Sequence, residues 1–379
     1  MKLLATIGLR LLGIALVAFV LIYQVEYRDH LVTADGTDIE GRIERDGADV
    51  AFHADDGDVT ALGPEWRNRK DLRLGLFTIV AHADKSLLLL GLLLYGPITL
   101  LSISRWWYLL RTVGLPIPFV EAFRLTFIGF FFSSVIPGMT GGDLVKGVYI
   151  ARRESGARTR AFMSVLVDRV IGLFALGVLA GIVLLPNLGD PRFQVPAAIV
   201  FVFLGIATTF GVVFLSRRLR GLLRFDALIA KLPFSKAFAE IDRAITIYRD
   251  HTQAVLLSIL ISLANHVSLV FMAFAMGTAI GIDIPLHQYF MLYPVCLMMA
   301  SIPLLPGGWG VREASFQAFF GMVGVAATQA VALSILVGLS LLGWSLLGGV
   351  FFLLSPDRVS RREVSSFQEH IEREIDANS

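Results

Sequence analysis

Cysteine is nearly absent from this chain of 379 residues, in which Cys296 is the one example. A single cysteine excludes an internal disulfide framework and a cysteine-rich metal site. The sequence also lacks a metal-ligand spacing of His, Cys, Asp and Glu, a Walker-type phosphate loop and a GxSxG nucleophile motif. We therefore predict no metal, no cofactor, no catalytic residue and no ATP-driven step.

Charge is also scarce, since Asp, Glu, Lys and Arg make up 17% of the chain and hydrophobic residues 55%. The mean hydropathy is +0.71. This composition excludes an ordinary soluble domain and predicts an all-α polytopic membrane protein. The net charge of +2 does not indicate a nucleic-acid partner, because the charges are segregated along the chain.

One stretch, SSVIPGMTGGDLVKGVYIARR from Ser133 to Arg153, interrupts an apolar run that begins near Leu125. Proline removes a backbone donor and glycine loosens a helix. In hydrocarbon every freed backbone group needs another partner, so a broken helix at membrane depth usually lines a cavity. The stretch therefore predicts a broken helix beside a cavity.

The same pattern returns about 166 residues later, where IPGMTGGDLVK from Ile136 is echoed by IPLLPGGWGVR from Ile302. Chance recurrence of common membrane residues is the alternative explanation. However, two Gly/Pro-interrupted hydrophobic segments in corresponding halves indicate a transport site. We therefore predict two membrane repeats.

Basic residues predict the topology of these repeats. Arg124 precedes the first broken segment, and Lys146, Arg152, Arg153, Arg158 and Arg160 follow its break, so the positive-inside rule places both ends of the segment in the cytoplasm. Its roughly 26 residues would form two half-helices of about 20 Å each, too short to span. The second segment follows a loop at 282–288 without Lys or Arg, and arginines follow the last helix. It therefore enters from outside, and the repeat is inverted.

The prediction is about six spanning helices plus two re-entrant broken helices, in a plasma (inner) membrane with both termini cytoplasmic. A cleaved signal peptide is the alternative for the first segment, but no A-x-A site follows it. The predicted units are a signal-anchor helix at 1–23, an extracytoplasmic β insert and interfacial helix at 24–85, repeat 1 at 86–216 (re-entrant 125–150), a cytoplasmic amphipathic linker at 217–253, repeat 2 at 254–354 (re-entrant 289–321) and a cytoplasmic tail at 355–379.

The β insert is predicted from alternating apolar and polar residues over 38–53, with turns at Asp46-Gly47 and Asp56-Gly57. Its acidic run of Asp55, Asp56 and Asp58 could suggest calcium, but a solvated turn is the better interpretation. A structural cap on the outer face is favoured over a binding domain.

Half-helix termini carry unpaired N–H groups that bind anions, and paired glycines let the backbone approach a phosphate. Lys146 and Arg312 would add full positive charge. The alternative is that these charges form internal pairs, such as Asp143 with Lys146 or Arg169. His266 is favoured as a core histidine beside Asn265. The predicted substrate-binding residues are Arg105, Pro137, Gly141, Gly142, Asp143, Lys146, Asp168, Arg169, Pro303, Gly307, Gly308, Arg312 and Glu313.

Four motifs together resemble a known family: RWxxLL from Arg105, FFxxVIPGxxGGDxxK from Phe131, DRxxG from Asp168 and PxxPGGxGxRE from Pro303. They are similar to the flippase-like membrane domain of lysylphosphatidylglycerol synthases, over about residues 86–354. The resemblance implies movement of an aminoacylated phospholipid between leaflets. The aminoacyl-transferase domain of the full synthase is not expected in a chain that ends about 25 residues after its last helix.

We expect a flippase- or scramblase-like transporter, not an enzyme, that moves a phospholipid or lipid-linked phosphate with an anionic headgroup. The alternative is a membrane-embedded enzyme or accessory protein acting on lipid-linked sugar phosphates, for which Asp143 and Asp168 are the candidate carboxylates. A third option is a scaffold whose β insert binds an envelope partner. The sequence leaves open whether the protein forms a homo-oligomer.

Overall fold

The structure is a computed structural model, and its described part omits several stretches of the chain. The described residues are 18–20, 22–33, 35–46, 49–63, 66, 69, 71–135, 141–152, 158–215, 248, 251–301, 308–356, 359, 363, 364, 366 and 369. Most of the predicted signal-anchor helix, linker and tail therefore lies outside the described residues. Residues 18–20 and 22–23 are helical.

A small antiparallel sheet precedes the long helices, as the sequence predicted. Its strands are β1 (Asp29–Val32), β2 (Asp38–Asp46), β3 (Asp49–Ala54), β4 (Val59–Leu62) and β5 (Leu72–Arg73), in the order β4-β3-β2-β1-β5. Strands β2 and β3 pair until Asp46 lies opposite Asp49, which leaves two residues for the predicted hairpin turn. Gly57 adopts a φ of +101° in the second predicted turn, a conformation that favours glycine.

A buried carboxylate joins this sheet to the helix that follows it. Asp29 is 1% exposed and accepts hydrogen bonds from the backbone N–H of Ile43 at 2.9 Å and of Gly75 at 2.8 Å. The hydroxyl of Thr78 donates a third bond at 2.7 Å. Since the three donors satisfy the buried charge, Asp29 has a structural role. In the acidic turn, the Asp56 carboxylate accepts the N–H of Asp58, as a solvated turn requires.

The remaining described elements are helical. In chain order they are α1 (Leu76–Ala81), α2 (Lys85–Thr112), α3 (Phe119–Val135), α4 (Gly141–Ala151), α5 (Arg158–Leu184), α6 (Gln194–Leu215), α7 (Thr252–Ala279), α8 (Leu286–Ala300), α9 (Val311–Gly321) and α10 (Ala327–Leu354). Short 3₁₀ turns at Leu185–Asn187 and Pro191–Phe193 connect α5 to α6. Within the described ranges, five helical stretches are long and apolar enough to cross a membrane, by length and composition: Lys85–Thr112, Arg160–Asn187, Pro191–Val212, Thr252–Ala279 and Ala327–Leu354.

Both interrupted segments form helical hairpins with short arms. Helices α3 and α4 have 17 and 11 residues, and α8 and α9 have 15 and 11. At 1.5 Å per residue the longest arm is about 26 Å, below a hydrocarbon thickness of about 30 Å. In the second hairpin Tyr289 contacts Phe320 and Tyr293 contacts Phe316, with ring centroids 5.3 and 5.7 Å apart. This ladder makes its arms antiparallel.

The first hairpin packs through a glycine pair. A Cβ on Gly142 would lie 1.9 Å from the carbonyl oxygen of Gly129, so the backbones of α3 and α4 touch directly. The hairpins begin earlier along the chain than predicted, at Phe119 and Leu286, because each first arm continues through the preceding polar elbow. The breaks themselves, at 136–140 and 302–307, lie outside the described residues.

The opening helices of the two repeats, α2 and α7, run antiparallel along their whole length. Asp84 donates its N–H to Ala279 at 2.9 Å at one end. Arg105 bonds Ser262 at 2.7 Å further along, and the Tyr248 hydroxyl reaches Leu109 at 3.0 Å at the other end. Matched helices that run in opposite directions are what an inverted repeat requires.

The hairpins are exchanged between the repeats. Helix α3 packs against α10 of the second repeat, and α8 packs against α5 of the first. The same pairing occurs on both sides, as expected for the repeat that the sequence pattern predicts. Each half therefore completes the core of the other, and neither half buries its apolar faces alone.

We predict that Gly348→Ala destabilises the protein, whereas Gly343→Ala does not. Both glycines lie in α10, but a Cβ at Gly348 would be 1.8 Å from the Phe127 carbonyl oxygen, and one at Gly343 has nothing within 4 Å. Overpacking at such a contact costs about 1–3 kcal/mol. Thermal unfolding of both variants in detergent measures the difference. Equal melting temperatures would contradict the direct packing of α3 on α10.

Candidate functional site

A cavity of about 560 Å³ lies beside the first hairpin. Its described walls come from α2, α3, α4, α5 and α7, with the end of α8 closing one side. Helices from both repeats therefore build it. Its charged lining residues are Arg105, Asp143, Lys146, Asp168 and Arg169.

The first part of the lining is a buried ion pair between α2 and α5. Arg105 donates from Nε to Asp168 Oδ1 at 2.6 Å and from Nη2 to Oδ2 at 3.0 Å. Its Nη1 donates to the Ser262 hydroxyl on α7 at 2.7 Å. A two-pronged guanidinium–carboxylate pair with a further bond fixes orientation as well as charge. The pair therefore ties three walls of the cavity together.

The second part of the lining is a carboxylate shared by two cations. Lys146 Nζ lies 3.1 Å from Asp143 Oδ1 on the same helix, and Arg169 Nε on α5 donates to Asp143 Oδ2. The Lys146 ammonium also lies 4.7 Å from the centroid of the Trp106 ring. Lys146 is 6% exposed, whereas the Arg169 side chain is 40% exposed. Arg169 is therefore the accessible cation of the cavity.

Four buried polar atoms around the cavity have no hydrogen-bond partner among the described residues. They are Trp106 Nε1, Thr126 Oγ1, Asn265 Oδ1 and His266 Nδ1. His266 Nε2 lies 2.9 Å from the Gly172 carbonyl oxygen, so Nε2 carries the proton and Nδ1 is the acceptor of the neutral ring. Because unpaired buried polar groups are costly, these atoms indicate a site that a polar ligand or water occupies.

The structure brings five of the predicted site residues together and places others elsewhere. The predicted charges of the first repeat all line the cavity, and Gly142 sets the approach of α4 to α3. Pro137, Pro303 and Gly307 lie outside the described residues. Gly141 begins α4, but its surroundings are not described. Gly308 has a φ of +73° and lies against Ala300, so its role is to allow a close backbone approach in the second hairpin.

Arg312 and Glu313 form a closed pair in the second repeat instead of lining the cavity. Arg312 is 3% exposed, and its Nη2 bonds Glu313 at 2.9 Å while its Nε bonds Ser334 at 3.0 Å. Its guanidinium lies 4.3 Å from the centroid of the Trp309 ring. For this pair the structure follows the alternative of an internal pair, because Glu313 and Ser334 accept bonds from Nε and Nη2 of the guanidinium within the core.

The two repeats use equivalent positions differently. At the repeat spacing of about 166 residues, Asp168 corresponds to Ser334, and Gly172 corresponds to Gly338. Each glycine makes room for a guanidinium, since a Cβ at Gly172 would lie 3.2 Å from Arg105 Nη1 and one at Gly338 would lie 2.1 Å from Arg312 Nη2. The equivalent glycines therefore accommodate a guanidinium in both places. Gly172 does so beside an open charged cavity, and Gly338 does so in a filled core.

Sequence reasoning missed Thr126, Trp106 and Ser262 as members of the site. A signal was present on α7, where Ser262, Asn265 and His266 recur at helical spacing inside an apolar run. Thr126 had no comparable pattern, and only the fold of α3 against α4 brings it to the cavity.

We predict that Asp168→Asn lowers the free energy of unfolding by about 3–5 kcal/mol, because Arg105 is left buried without its counter-ion. The double variant Arg105→Met with Asp168→Leu recovers most of this loss, since no buried charge is left unpaired. Thermal or denaturant unfolding in detergent measures both.

The matched control is Asp190→Asn, which removes the partner of Arg192 in an exposed pair on the α5–α6 connection. This variant leaves the free energy of unfolding unchanged, because exposed ion pairs contribute little to stability. Equal effects of Asp168→Asn and Asp190→Asn would contradict a structural role for the buried pair.

Comparison with known proteins agrees with this architecture. The chain is 26% identical over 311 residues to the UPF0104 membrane protein PH1989 of Pyrococcus horikoshii, which covers 73% of this chain and 89% of that protein. It is 23% identical over 97 residues to the UPF0104 membrane protein MJ1595 of Methanocaldococcus jannaschii, 25% of this chain and 29% of that protein. No solved structure matches it. The family described as the lysylphosphatidylglycerol synthase TM region matches residues 75–349, most of the chain, so this membrane protein belongs to that family.

Proposed function

We propose that this protein moves a lipid with an anionic phosphate headgroup between the leaflets of a membrane, in the manner of a flippase or scramblase. The observation that carries the proposal is the cavity beside the first hairpin. Three cations line it, as do four polar atoms that have no partner among the described residues, within a protein of long apolar helices. Intramembrane charges that face a cavity mark a substrate path by default.

The outer surface of the helices suits the tails of such a lipid. Leucines 89 and 93 on α2 and leucines 256 and 260 on α7 are exposed large apolar side chains. A lipid could keep its tails against these faces while its headgroup crosses in the polar cavity. This arrangement lowers the barrier, because an unassisted phosphate would have to lose its water in hydrocarbon.

The inverted hairpins support movement without ATP. Transporters with inverted repeats alternate access by rocking one repeat against the other around a fixed site. Here the charged residues of the first repeat face an open cavity, while Arg312 and Glu313 close the equivalent region of the second. Since the sequence carries no Walker motif, we propose passive or ion-coupled movement.

A second candidate is a membrane-embedded enzyme or accessory protein that acts on lipid-linked sugar phosphates. It is favoured by one observation, that Asp143 and Asp168 line the same cavity. Both carboxylates are paired with cations, however, which makes either a weak general base. We therefore prefer transport.

We predict that the β sheet faces the outside of a plasma membrane and the linker faces the cytoplasm. In a Cys296→Ala background, a cysteine at Asp56 in the exposed turn reacts with a membrane-impermeant maleimide on intact cells. A cysteine at Arg220 reacts only after permeabilisation. The reverse labelling pattern would overturn the proposed orientation and, with it, the cytoplasmic entry of the first hairpin.

The transport prediction concerns Arg169, the accessible cation of the cavity. Arg169→Gln lowers the rate at which reconstituted protein exposes fluorescent phospholipid to external dithionite, by about tenfold or more. A charge-assisted hydrogen bond contributes about 1.5–3 kcal/mol, and about 1.4 kcal/mol is a factor of ten.

The matched control is Arg192→Gln, the same chemical change at an exposed position outside the cavity lining. It transports like wild type, and both variants keep the wild-type melting temperature. No acceleration over empty liposomes by the folded wild-type protein, across anionic and zwitterionic headgroups, would reject lipid transport.

A further inference from the structure

We infer that the cavity selects a lipid phosphodiester with one net negative charge and hydroxyl groups on its headgroup. The inference rests on the proposed function, because it names the substrate class of the same site. It follows from the charge and hydrogen-bond inventory of the cavity, which goes beyond a general preference for anions. A phosphatidyl polyol and a glycosyl phosphoryl polyprenol share this chemistry.

The charge inventory of the described lining leaves one positive charge in excess. Arg105, Lys146 and Arg169 are cations, and Asp143 and Asp168 are carboxylates. His266 is neutral in this count, with its proton on Nε2. Residues 136–140 and 302–307, which lie outside the described part of the chain, contain no ionisable side chain.

The excess charge lies on the Lys146 and Arg169 side of the cavity. Asp168 accepts two bonds from Arg105, and Ser262 accepts a third, so each of the three guanidinium nitrogens already donates one bond. Asp143, in contrast, is one carboxylate shared by two cations. Arg169 contacts it through Nε, and its terminal nitrogens have no partner among the described residues. A phosphate would therefore bind between Lys146 and Arg169.

One negative charge balances this site, and other headgroup charges do not. A phosphodiester carries a single negative charge, whereas a terminal phosphate monoester carries about 1.5 to 2 at pH 7. A zwitterionic headgroup brings no net charge, and an aminoacylated phospholipid with extra ammonium groups would add to the excess. In a low-dielectric cavity an unbalanced charge is penalised strongly, so the site discriminates by charge.

The unpartnered atoms indicate hydroxyls on the headgroup. Trp106 Nε1 is a donor only, His266 Nδ1 and Asn265 Oδ1 are acceptors, and Thr126 Oγ1 is both. A hydroxyl both donates and accepts, so a polyol can satisfy this mixture. A quaternary ammonium does neither, and a primary ammonium leaves the indole N–H unpaired. The cavity therefore matches a polyol better than an amine.

The test measures lipid affinity by displacement of a fluorescent lipid from the purified, detergent-solubilised protein. The probes are phosphatidylglycerol, a mannosyl phosphoryl polyprenol, phosphatidic acid, phosphatidylcholine and an aminoacylated phosphatidylglycerol. At least one of the two polyol phosphodiesters binds wild type about tenfold or more tightly than the other three lipids. The tighter of the two identifies the source of the phosphodiester.

Charge variants sharpen the test. Arg169→Gln makes the described site neutral and removes the preference for the phosphodiester over phosphatidylcholine. Asp143→Asn raises the excess to two and shifts the preference towards phosphatidic acid. Arg192→Gln, outside the cavity, keeps the wild-type order. Melting temperatures identify any variant that fails to fold, and Arg169→Gln alone decides the result if Asp143→Asn is unstable.

The outcomes separate the two proposals. Equal affinity of wild type for all five lipids, or an order that Arg169→Gln leaves unchanged, overturns the charge-matching inference even if liposomes show transport. Selective binding that follows the variants supports the inference even if liposomes show no transport, and then the transport proposal alone is rejected.

Discussion

The fork of Arg105 holds together the helices on which the rest of the cavity depends. Its guanidinium engages Asp168 on α5 through two bonds and Ser262 on α7 through a third. These helices belong to both repeats, so one side chain crosses the boundary between the halves. Gly172 gives the guanidinium its room, and the carbonyl of the same glycine accepts His266. Buried charge thus sets the spacing of the cavity walls, since any wider spacing would leave an unpaired ion in a membrane interior.

The same physical problem has a second solution in the other repeat. Arg312 pairs with its neighbour Glu313 and with Ser334, which occupies the position equivalent to Asp168. The carboxylate of Glu313 lies next to Arg312 in the sequence, so this pair is neutral without a ligand. The first site keeps its carboxylates on separate elements and shares one of them between two cations. The two equivalent regions therefore differ, because one lines a cavity and the other is a filled core.

Much of the architecture could be predicted because membrane solvation restricts it so strongly. Long apolar runs had to be helices, and the Pro and Gly breaks had to interrupt them, since hydrocarbon offers backbone groups no other partner. Two motifs predict the repeat, and the placement of arginines predicts that it is inverted. The partners of individual charged residues were harder to predict from the sequence. Lys146 and Arg312 occupy equivalent places in the pattern. Lys146 nevertheless lines a cavity, whereas Arg312 forms a buried pair with Glu313.

The sequence by itself determined the class of protein and the two hairpins, because hydropathy and helix breakers act locally. The opposite directions of the hairpins across the membrane stay a prediction from the basic flanks. It also determined the family, through motifs that match over residues 75–349. Tertiary structure alone decided which charges meet. Arg105 and Asp168 are 63 residues apart, and Arg105 and Ser262 are 157 apart. Such pairs form when α2 packs against α5 and α7, because that packing brings distant helices to one cavity and leaves Thr126 and His266 facing the same space.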